Sequence, residues 1–362
     1  MTRREEVLAG VLLGTAVGDA IGLPYEGLSR RRVQRLLGDR PLQHRFVLGR
    51  GLLSDDTEHA CLVAQALLAS QGDPERFARS LAWRLRGWVL ALPAGIGFAT
   101  LRALLKLLCG VSPERSGVRS AGNGAAMRSA VLGVCLGDTP RMRAALHRGT
   151  RITHTDPRAY EGALAVALAA CRAADSGTRL DPAGLLAGLL RDLRGPALRA
   201  ALERARRRLA QGARPAEFAD ELGLDRGVTG FVDHTVPCAL YCWLRAPHSP
   251  REAIESAVRL GGDTDTVAAI VGALAGATQG ASGLPQDWLA GLIDWPRSPR
   301  WIRGLAVRLA AAFPQPQAAP APPPNGAAPR PLPLLWPAIP LRNALFLALV
   351  LAHGARRLLP PW

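Results

Sequence analysis

Two short acidic clusters stand out in the sequence, about 200 residues apart, and each precedes an apolar helical pattern. The first has the sequence SDDTE at residues 54–58, and the second has GGDTDT at residues 261–266. Helix capping explains either cluster taken alone. Ser54 or Asp55 together with Glu58 would form a capping box. Thr264 or Asp265 would cap the second helix.

Taken together, the clusters indicate metal chemistry. Each offers two carboxylates and neighbouring hydroxyl groups within one helical turn, whereas capping needs only one side-chain oxygen. Carboxylate and hydroxyl oxygens are hard ligands that suit Mg²⁺ or Mn²⁺. If the clusters converge, they would hold two metal ions that activate a water molecule. A zinc site is not expected, because the six cysteines form no CxxC motif and only Cys238 and Cys242 lie close together.

Five motifs in this order resemble the ADP-ribosylglycohydrolase family, which includes the dinitrogenase-reductase activating glycohydrolases and the ADP-ribosyl-acceptor hydrolases. They are GTAVGDAIGLPYEG at 14–27, SDDT at 54–57, GNGAAMR at 122–128, THTDP at 153–157 and GGDTDT at 261–266. The resemblance extends to about Phe313 and leaves the rest of the chain uncovered. It implies an orthogonal all-α bundle with a centre of two Mg²⁺ or Mn²⁺ ions.

The resemblance also implies the metal ligands, and every ligand position of the family's two metal motifs is present in this chain. The first motif supplies Ser54, Asp55 and Asp56. The second supplies Asp263, Asp265 and Thr266. Among these residues, Asp56 or Asp265 would also hold the attacking water or act as the base.

Other site residues follow from the same resemblance, and each has a simpler structural explanation. Glu26 matches a glutamate on a mobile loop after the first helix, near the metals and the ribose; alternatively it is a solvated loop carboxylate. Asn123, Gly124 and His154 would contact the ADP-ribose. From the residues alone, Gly-Asn-Gly is a tight turn that enters a helix from Ala125, whose free amides form an anion site.

The Asp156-Pro157 pair is typical of a helix N-cap followed by proline at the first helical position. Asp19, within the first motif, is expected to be structural rather than catalytic.

The function implied is hydrolysis of an N- or O-glycosidic ADP-ribosyl bond, with an ADP-ribosylated protein as substrate and arginine as the favoured acceptor. Two alternatives stay open. One is a hydrolase of small ADP-ribose conjugates. The other is a protein that binds ADP-ribose without turnover, although the intact ligand set argues against it.

The net charge of +16 invites a nucleic-acid interpretation, but other features oppose it. Lys106 is the only lysine among 45 basic residues, which is more typical of a coding bias towards arginine than of selection for phosphate contacts. Aromatic residues make up only 5% of the chain, so stacking on bases is disfavoured and no nucleic-acid partner is expected. Scattered cysteines predict buried free thiols and a cytoplasmic protein.

Helical periodicity runs through residues 1 to about 312, and alternating strand patterns are nearly absent, which predicts an all-α fold. Gly10, Gly14, Gly18 and Gly22 recur every four residues and therefore line one stripe of the first helix. Because glycine disfavours helix formation, this stripe predicts a second helix in very close contact. The segment is accordingly interpreted as a buried core helix rather than an export signal.

Composition divides the chain into a catalytic domain at residues 1–313, a Pro/Ala-rich linker at 314–333 and an apolar C-terminal segment at 334–362. Residues 343–355 are apolar except for His353 and Asn343, and as a helix they are too short to span a bilayer. Trp336 and Trp362 flank them. The segment is expected either to dock on an apolar groove of its own or a partner chain, or to lie on a membrane surface.

Overall fold

The computed structural model describes residues 1–314 and 330–356, and its regular structure is helical, with β-structure in these ranges limited to isolated bridges. The predicted all-α fold is confirmed. The α-helices are α1 (Arg3–Gly22), α2 (Arg30–Leu37), α3 (Asp55–Ser70), α4 (Pro74–Leu90), α5 (Phe98–Leu108), α6 (Pro113–Ser116), α7 (Ala130–Leu136), α8 (Pro140–Arg151), α9 (Pro157–Ser176), α10 (Pro182–Asp192), α11 (Pro196–Ala210), α12 (Pro215–Glu221), α13 (Val232–Arg245), α14 (Pro250–Arg259), α15 (Thr264–Gln279), α16 (Gln286–Gly291), α17 (Pro299–Ala312) and α18 (Ala338–Arg356).

Many of these helices begin with the same local sequence signal, a short polar residue followed by proline. The polar side chain accepts a hydrogen bond from a backbone amide of the first turn, and proline occupies the position whose own amide needs no helical partner. Examples are Asp73, Thr139, Asp156, Asp181, Ser249 and Ser298. The N-cap interpretation of Asp156 is therefore confirmed.

The centre of the bundle is an antiparallel pair of helices, α1 and α15, in backbone contact. A Cβ atom placed on Gly14 would lie 2.0 Å from the Gly272 carbonyl oxygen, and one on Gly18 would lie 1.9 Å from the Ala268 oxygen. Only glycine permits this approach, which brings many main-chain atoms into van der Waals contact. The close helix partner predicted from the glycine stripe is confirmed.

This helix pair brings both acidic clusters to the same end of α1. Thr264 Oγ1, at the start of α15, donates a 2.9 Å hydrogen bond to the Gly22 carbonyl. One turn earlier on α1, the buried Asp19 carboxylate accepts hydrogen bonds from Ser54 N, Thr57 N and Thr57 Oγ1. Asp19 thus fixes the start of α3 to α1, which confirms its structural role.

Burial dominates the ionisation of Asp19 and raises its pKa to about 6, although the hydrogen bonds from Thr57 and Ser54 oppose this shift. These hydrogen-bond donors stabilise the charged form of the Asp19 carboxylate at neutral pH. Asp19 therefore couples the geometry of the first cluster to the core helix.

Among the described residues, two helices are long and apolar enough to cross a membrane by length and composition alone. In the first, Arg3–Tyr25, the most apolar 18-residue window is entirely buried inside the protein, so α1 is a core helix, as predicted. The window Ala338–Ala355 in α18 is only 22% buried.

The end of the predicted linker and the C-terminal segment both pack against the chain's own domain. Gln65 on α3 exchanges two hydrogen bonds with the Leu332 backbone, and Trp301 Nε1 donates to the Pro333 carbonyl. Phe346 on α18 is buried against Phe46. Docking on its own domain, one of the expectations for this segment, is thus observed. Most of the predicted linker (residues 315–329) and Trp362 lie outside the described residues.

Candidate active site

A cavity of about 560 Å³ opens at the end of α1 where α3 and α15 begin. All the residues predicted for the site line this cavity except Ser54 and Asp56, which are buried behind its wall. Residues far apart in the sequence, from Glu26 to Thr266, are therefore brought together.

The first cluster is joined to the second through Asp56. Ser54 is the N-cap of α3, and its hydroxyl accepts a hydrogen bond from Asp56 N. The Asp56 carboxylate lies 3.4 Å from Ser54 Oγ and accepts a 3.2 Å hydrogen bond from Thr266 Oγ1, 210 residues away. This hydrogen bond brings the two acidic clusters together, a convergence that their spacing in the sequence could only suggest.

The capping box predicted for the first cluster is wrong. The Glu58 carboxylate does not return to the start of α3 but turns into the protein, where it accepts hydrogen bonds from Trp88 Nε1 and Arg297 Nη1. These partners lie 30 and 239 residues away in the sequence. Long-range pairing with a buried guanidinium outweighs the local capping interaction.

The second cluster does not cap its helix, whereas Ser54 of the first cluster does. Asp263 occupies the N-cap position of α15, but its side chain makes no capping bond and instead accepts a 2.6 Å hydrogen bond from Asn123 Nδ2. Thr264 is turned towards Gly22, and Asp265 accepts from the amide of its neighbour Thr266. Neither Thr264 nor Asp265 caps the helix, so that alternative is wrong.

The carboxylates of the two clusters are buried close together and repel one another. Burial raises the pKa of the Asp55, Asp56 and Asp265 carboxyl groups well above that of an exposed aspartate. Repulsion raises these pKa values further, from Asp55 onto Asp56 and from Glu26 and Asp263 onto Asp265. A group of buried like charges needs either protons or a cation to be stable.

The donor set fits a hard divalent cation. Asp56 Oδ1 is buried and has no hydrogen-bond partner within the described part of the chain, and the surrounding ligand atoms are carboxylate and hydroxyl oxygens. Among the described residues, no three His, Cys, Asp or Glu side chains converge closely enough to form a complete cage.

Glu26 lies at the cavity rim, directly after the short 3₁₀ turn Leu23–Tyr25 that continues α1. Its side chain is exposed. The loop is fastened to the second cluster, since Gly27 N donates a 2.8 Å hydrogen bond to the Gly262 carbonyl and Gly262 N donates 2.7 Å to Leu28 O. These bonds hold Glu26 beside Asp265.

The opposite wall of the cavity contains the residues predicted to contact ADP-ribose. Asn123 begins a 3₁₀ helix, Asn123–Arg128, rather than a helix that starts at Ala125. Asn123 N donates to Gly230 O and Gly122 N to Ser120 Oγ, so these two amides are not the free anion donors that the sequence predicted. Ser120 satisfies the Gly122 amide from within the same loop, whereas the Asn123 amide is used by Gly230 in a distant loop, a contact that no local pattern reveals.

His154 is buried at the base of this wall, with Nδ1 2.9 Å from Thr153 Oγ1. Burial, assisted by the positive charge of Arg128, lowers the pKa of His154 to about 4. The imidazole is therefore neutral at pH 7. It can act towards a ligand as a hydrogen-bonding group but not as a cation.

Two parts of the cavity wall escaped sequence analysis. The start of α5 contributes Phe98, which is 74% exposed at the rim, and the loop before α13 contributes Thr229 and Gly230. Thr235 supports this loop by donating a 2.9 Å hydrogen bond from its hydroxyl to the Thr229 carbonyl. Neither part contains a charged or metal-ligating motif, so only its place in the fold identifies it.

Comparison with known proteins gives one consistent family. The model of the ADP-ribosylglycohydrolase family matches residues 1–319. An uncharacterized protein of Archaeoglobus fulgidus is 35% identical over 307 residues, covering 80% of this chain and 92% of the relative. Human ADP-ribosylhydrolase ARH3 is 29% identical over 326 residues, covering 77% and 87%.

A bacterial relative and a solved structure indicate the same family. The ADP-ribosyl-[dinitrogen reductase] glycohydrolase of Rhodospirillum rubrum is 26% identical over 292 residues, covering 78% of this chain and 89% of the relative. A solved structure described as an ADP-ribosylglycohydrolase-related protein complex superposes with a TM-score of 0.64 at 29% identity. It covers 88% of this chain and all of the other.

Proposed function

Because this chain belongs to the ADP-ribosylglycohydrolase family, we propose that it hydrolyses the N- or O-glycosidic bond between ADP-ribose and a protein side chain. The observation that carries the proposal is the hydrogen bond from Thr266 to Asp56, which joins the two clusters at the wall of one cavity that Glu26 also lines. The printed names of the human and Rhodospirillum rubrum relatives, a hydrolase and a glycohydrolase of ADP-ribosyl groups, support it.

We propose that the two clusters hold two Mg²⁺ or Mn²⁺ ions through Ser54, Asp55, Asp56, Asp263, Asp265 and Thr266. When bound, the ions would supply charge stabilisation and lower the pKa of water. Asp56 or Asp265 would accept a proton from the attacking water, and Glu26 would help to position or deprotonate it from the rim. Asn123, Gly124 and His154 would orient the ADP-ribose so that its anomeric carbon faces these carboxylates.

Arginine is the proposed acceptor residue, because the five motifs resemble those of the dinitrogenase-reductase activating glycohydrolases, a bacterial branch of the family. The experiment compares release of ADP-ribose from ADP-ribosylated arginine, ADP-ribosylated serine and a small ADP-ribose ester under the same conditions. Faster release from the arginine conjugate supports the proposal. Faster release from either of the others reassigns the substrate but keeps the reaction.

A second candidate function is binding of ADP-ribose without turnover. This function is supported if calorimetry shows binding of free ADP-ribose while no product is released from any of the three conjugates in the presence of Mg²⁺ or Mn²⁺. The intact set of carboxylates favours the hydrolase, because a binding protein has no need for repelling buried acids.

Replacing Glu26 with Gln is expected to separate catalysis from metal binding. The exposed Glu26 carboxylate lies at the rim, so its neutral amide should leave cation affinity close to that of the parent while kcat falls by roughly 10²-fold. Calorimetric titration with Mn²⁺ and a steady-state assay of the same preparation measure the two quantities. A variant that keeps full kcat would return Glu26 to the role of a solvated loop residue.

We propose a cytoplasmic location, which the free cysteines support, since five of the six are buried thiols. The exposed face of α18 supports peripheral contact with a membrane. Leu341, Leu345 and Leu351 are each more than 60% exposed on this face. Flotation of the full chain with anionic vesicles tests the contact, and a Leu345→Ser variant should reduce it. Equal flotation of both proteins, or none of either, contradicts it.

A further inference from the structure

Immediately behind the first acidic cluster lies a buried group of four charges, one of which comes from the C-terminal segment. Arg297 pairs with Glu58, while Arg342 on α18 contacts both Glu58 and Asp294. The side chains of Glu58, Asp294 and Arg297 are at most 3% exposed, and that of Arg342 is 9% exposed. Two guanidinium groups thus balance two carboxylates in a site closed to solvent.

This charge group holds the peptide from which the first cluster extends. Leu53 N donates a 3.1 Å hydrogen bond to Asp294, and the Leu53 carbonyl accepts a 2.5 Å hydrogen bond from Arg342 Nη2. Both backbone polar groups of Leu53 are therefore fixed by this one pair of side chains. The next residue is Ser54, the N-cap of α3 and the first predicted metal ligand.

Neighbouring contacts hold Arg342 in place. Asn343 is 1% exposed and donates a 2.8 Å hydrogen bond to the Ala91 carbonyl at the end of α4. One turn later, the Phe346 ring is buried and lies 4.5 Å from the Arg342 guanidinium carbon. Since α18 contributes a guanidinium, an amide and an aromatic ring on one face, its docking is specific rather than merely apolar.

The family match ends at residue 319, so Arg342 belongs to a segment outside the region shared with the family. We propose that residues 330–356 are a positioning element for the active site, in which Arg342 sets the orientation of the Leu53 peptide and thereby of Ser54, Asp55 and Asp56. The effect of this element on metal binding rests on the proposed function. Its effect on the Leu53 peptide does not.

The test uses the full chain with Arg342→Ala and Arg342→Lys. Hydrogen exchange of metal-free protein is followed for peptides covering residues 51–57, and Mn²⁺ affinity is measured by calorimetry. Arg342→Ala should speed exchange selectively at Leu53 and Ser54 and weaken Mn²⁺ binding by roughly tenfold or more, the range for removing an outer partner of a metal ligand. Arg342→Lys should fall between, because one ammonium cannot reach Asp294, Glu58 and Leu53 O together.

Two controls separate positioning from general damage. Leu341→Ala changes the adjacent, 73% exposed residue of α18 and should match the parent in both measurements. Guanidinium chloride at low concentration should partly restore Mn²⁺ affinity to Arg342→Ala, while an equal concentration of sodium chloride should not. Loss of fold alone would not be rescued in this way.

Each outcome decides the inference. Exchange at residues 51–57 unchanged in Arg342→Ala overturns it, whatever the metal affinity. If Arg342→Ala does not fold, Arg342→Lys decides in its place: exchange raised only at residues 51–57 supports the inference, and exchange raised everywhere or nowhere overturns it. A parent protein that binds no Mn²⁺ contradicts the proposed metal site, and the exchange comparison still tests Arg342.

Discussion

Replacing any one of Asp55, Asp56, Asp263 and Asp265 with alanine should abolish most activity, lowering kcat by roughly 10²-fold or more. Two cations held close together repel each other, so the four carboxylates would act as one unit and the loss of one would release at least one ion. Calorimetric Mn²⁺ stoichiometry and a steady-state assay measure both effects. Ser54→Ala and Thr266→Ala should cost less, because a neutral hydroxyl contributes less charge.

In metal-free protein, the loss of one of these carboxylates should leave thermal stability unchanged or raise it, although the same change lowers activity. Burial and repulsion raise the pKa of Asp56, so its charge destabilises the fold at neutral pH, and Asp56→Ala should have a Tm equal to or above that of the parent in EDTA. The difference should shrink as the pH is lowered, because protonation of the same carboxylates relieves the repulsion in the parent. Asp39→Ala, which removes an exposed aspartate, is the matched control and should have the same activity and the same Tm as the parent. A metal-binding, fully active Asp56→Ala protein would contradict the prediction.

Gly14→Ala should destabilise the protein by about 3 kcal/mol or more, an unusual cost for adding one methyl group. The added carbon would lie 2.0 Å from Gly272 O, and both atoms belong to helices that cannot yield by changing a rotamer. Any relief must separate α1 from α15, which would also move Asp263 and Asp265 away from Asp56. Unfolding in urea, monitored by circular dichroism, measures the loss.

Gly354 provides the comparison, since it is also a helical glycine but a Cβ atom placed there meets none of the described residues within 4 Å. Gly354→Ala should be neutral or slightly stabilising, because alanine favours the helix by about 1 kcal/mol. Equal unfolding midpoints for Gly14→Ala and the parent would show that the α1–α15 contact is not a close backbone approach.

The parts of the fold that follow from local chemistry were predictable from the sequence. The glycine stripe of α1 indicated a close helix partner, and the partner is α15. The Asp156-Pro157 pair indicated an N-cap, which is present. In both cases the signal lies within a few residues, where side-chain size and backbone geometry determine the structure directly.

The parts that depend on distant partners were not predictable. Glu58 has the right spacing for a capping box, yet it pairs with Arg297, because a buried carboxylate gains more from a guanidinium than from one amide. The Asn123 amide is used by Gly230 in a distant loop. Arg342 contacts Leu53 across 289 residues, and an arginine at the edge of an apolar run indicates no such role by itself.

The central claim, that this chain is a metal-dependent hydrolase of ADP-ribosyl groups, is tested most directly by metal depletion and restoration. The full chain is treated with EDTA, dialysed, and assayed for release of ADP-ribose from ADP-ribosylarginine before and after addition of Mg²⁺ or Mn²⁺. Release should fall to background in the depleted protein and return with either ion, with the stoichiometry of restoration approaching two ions per chain. Full release by the depleted protein would contradict a metal-dependent mechanism and leave the two acidic clusters without a catalytic role.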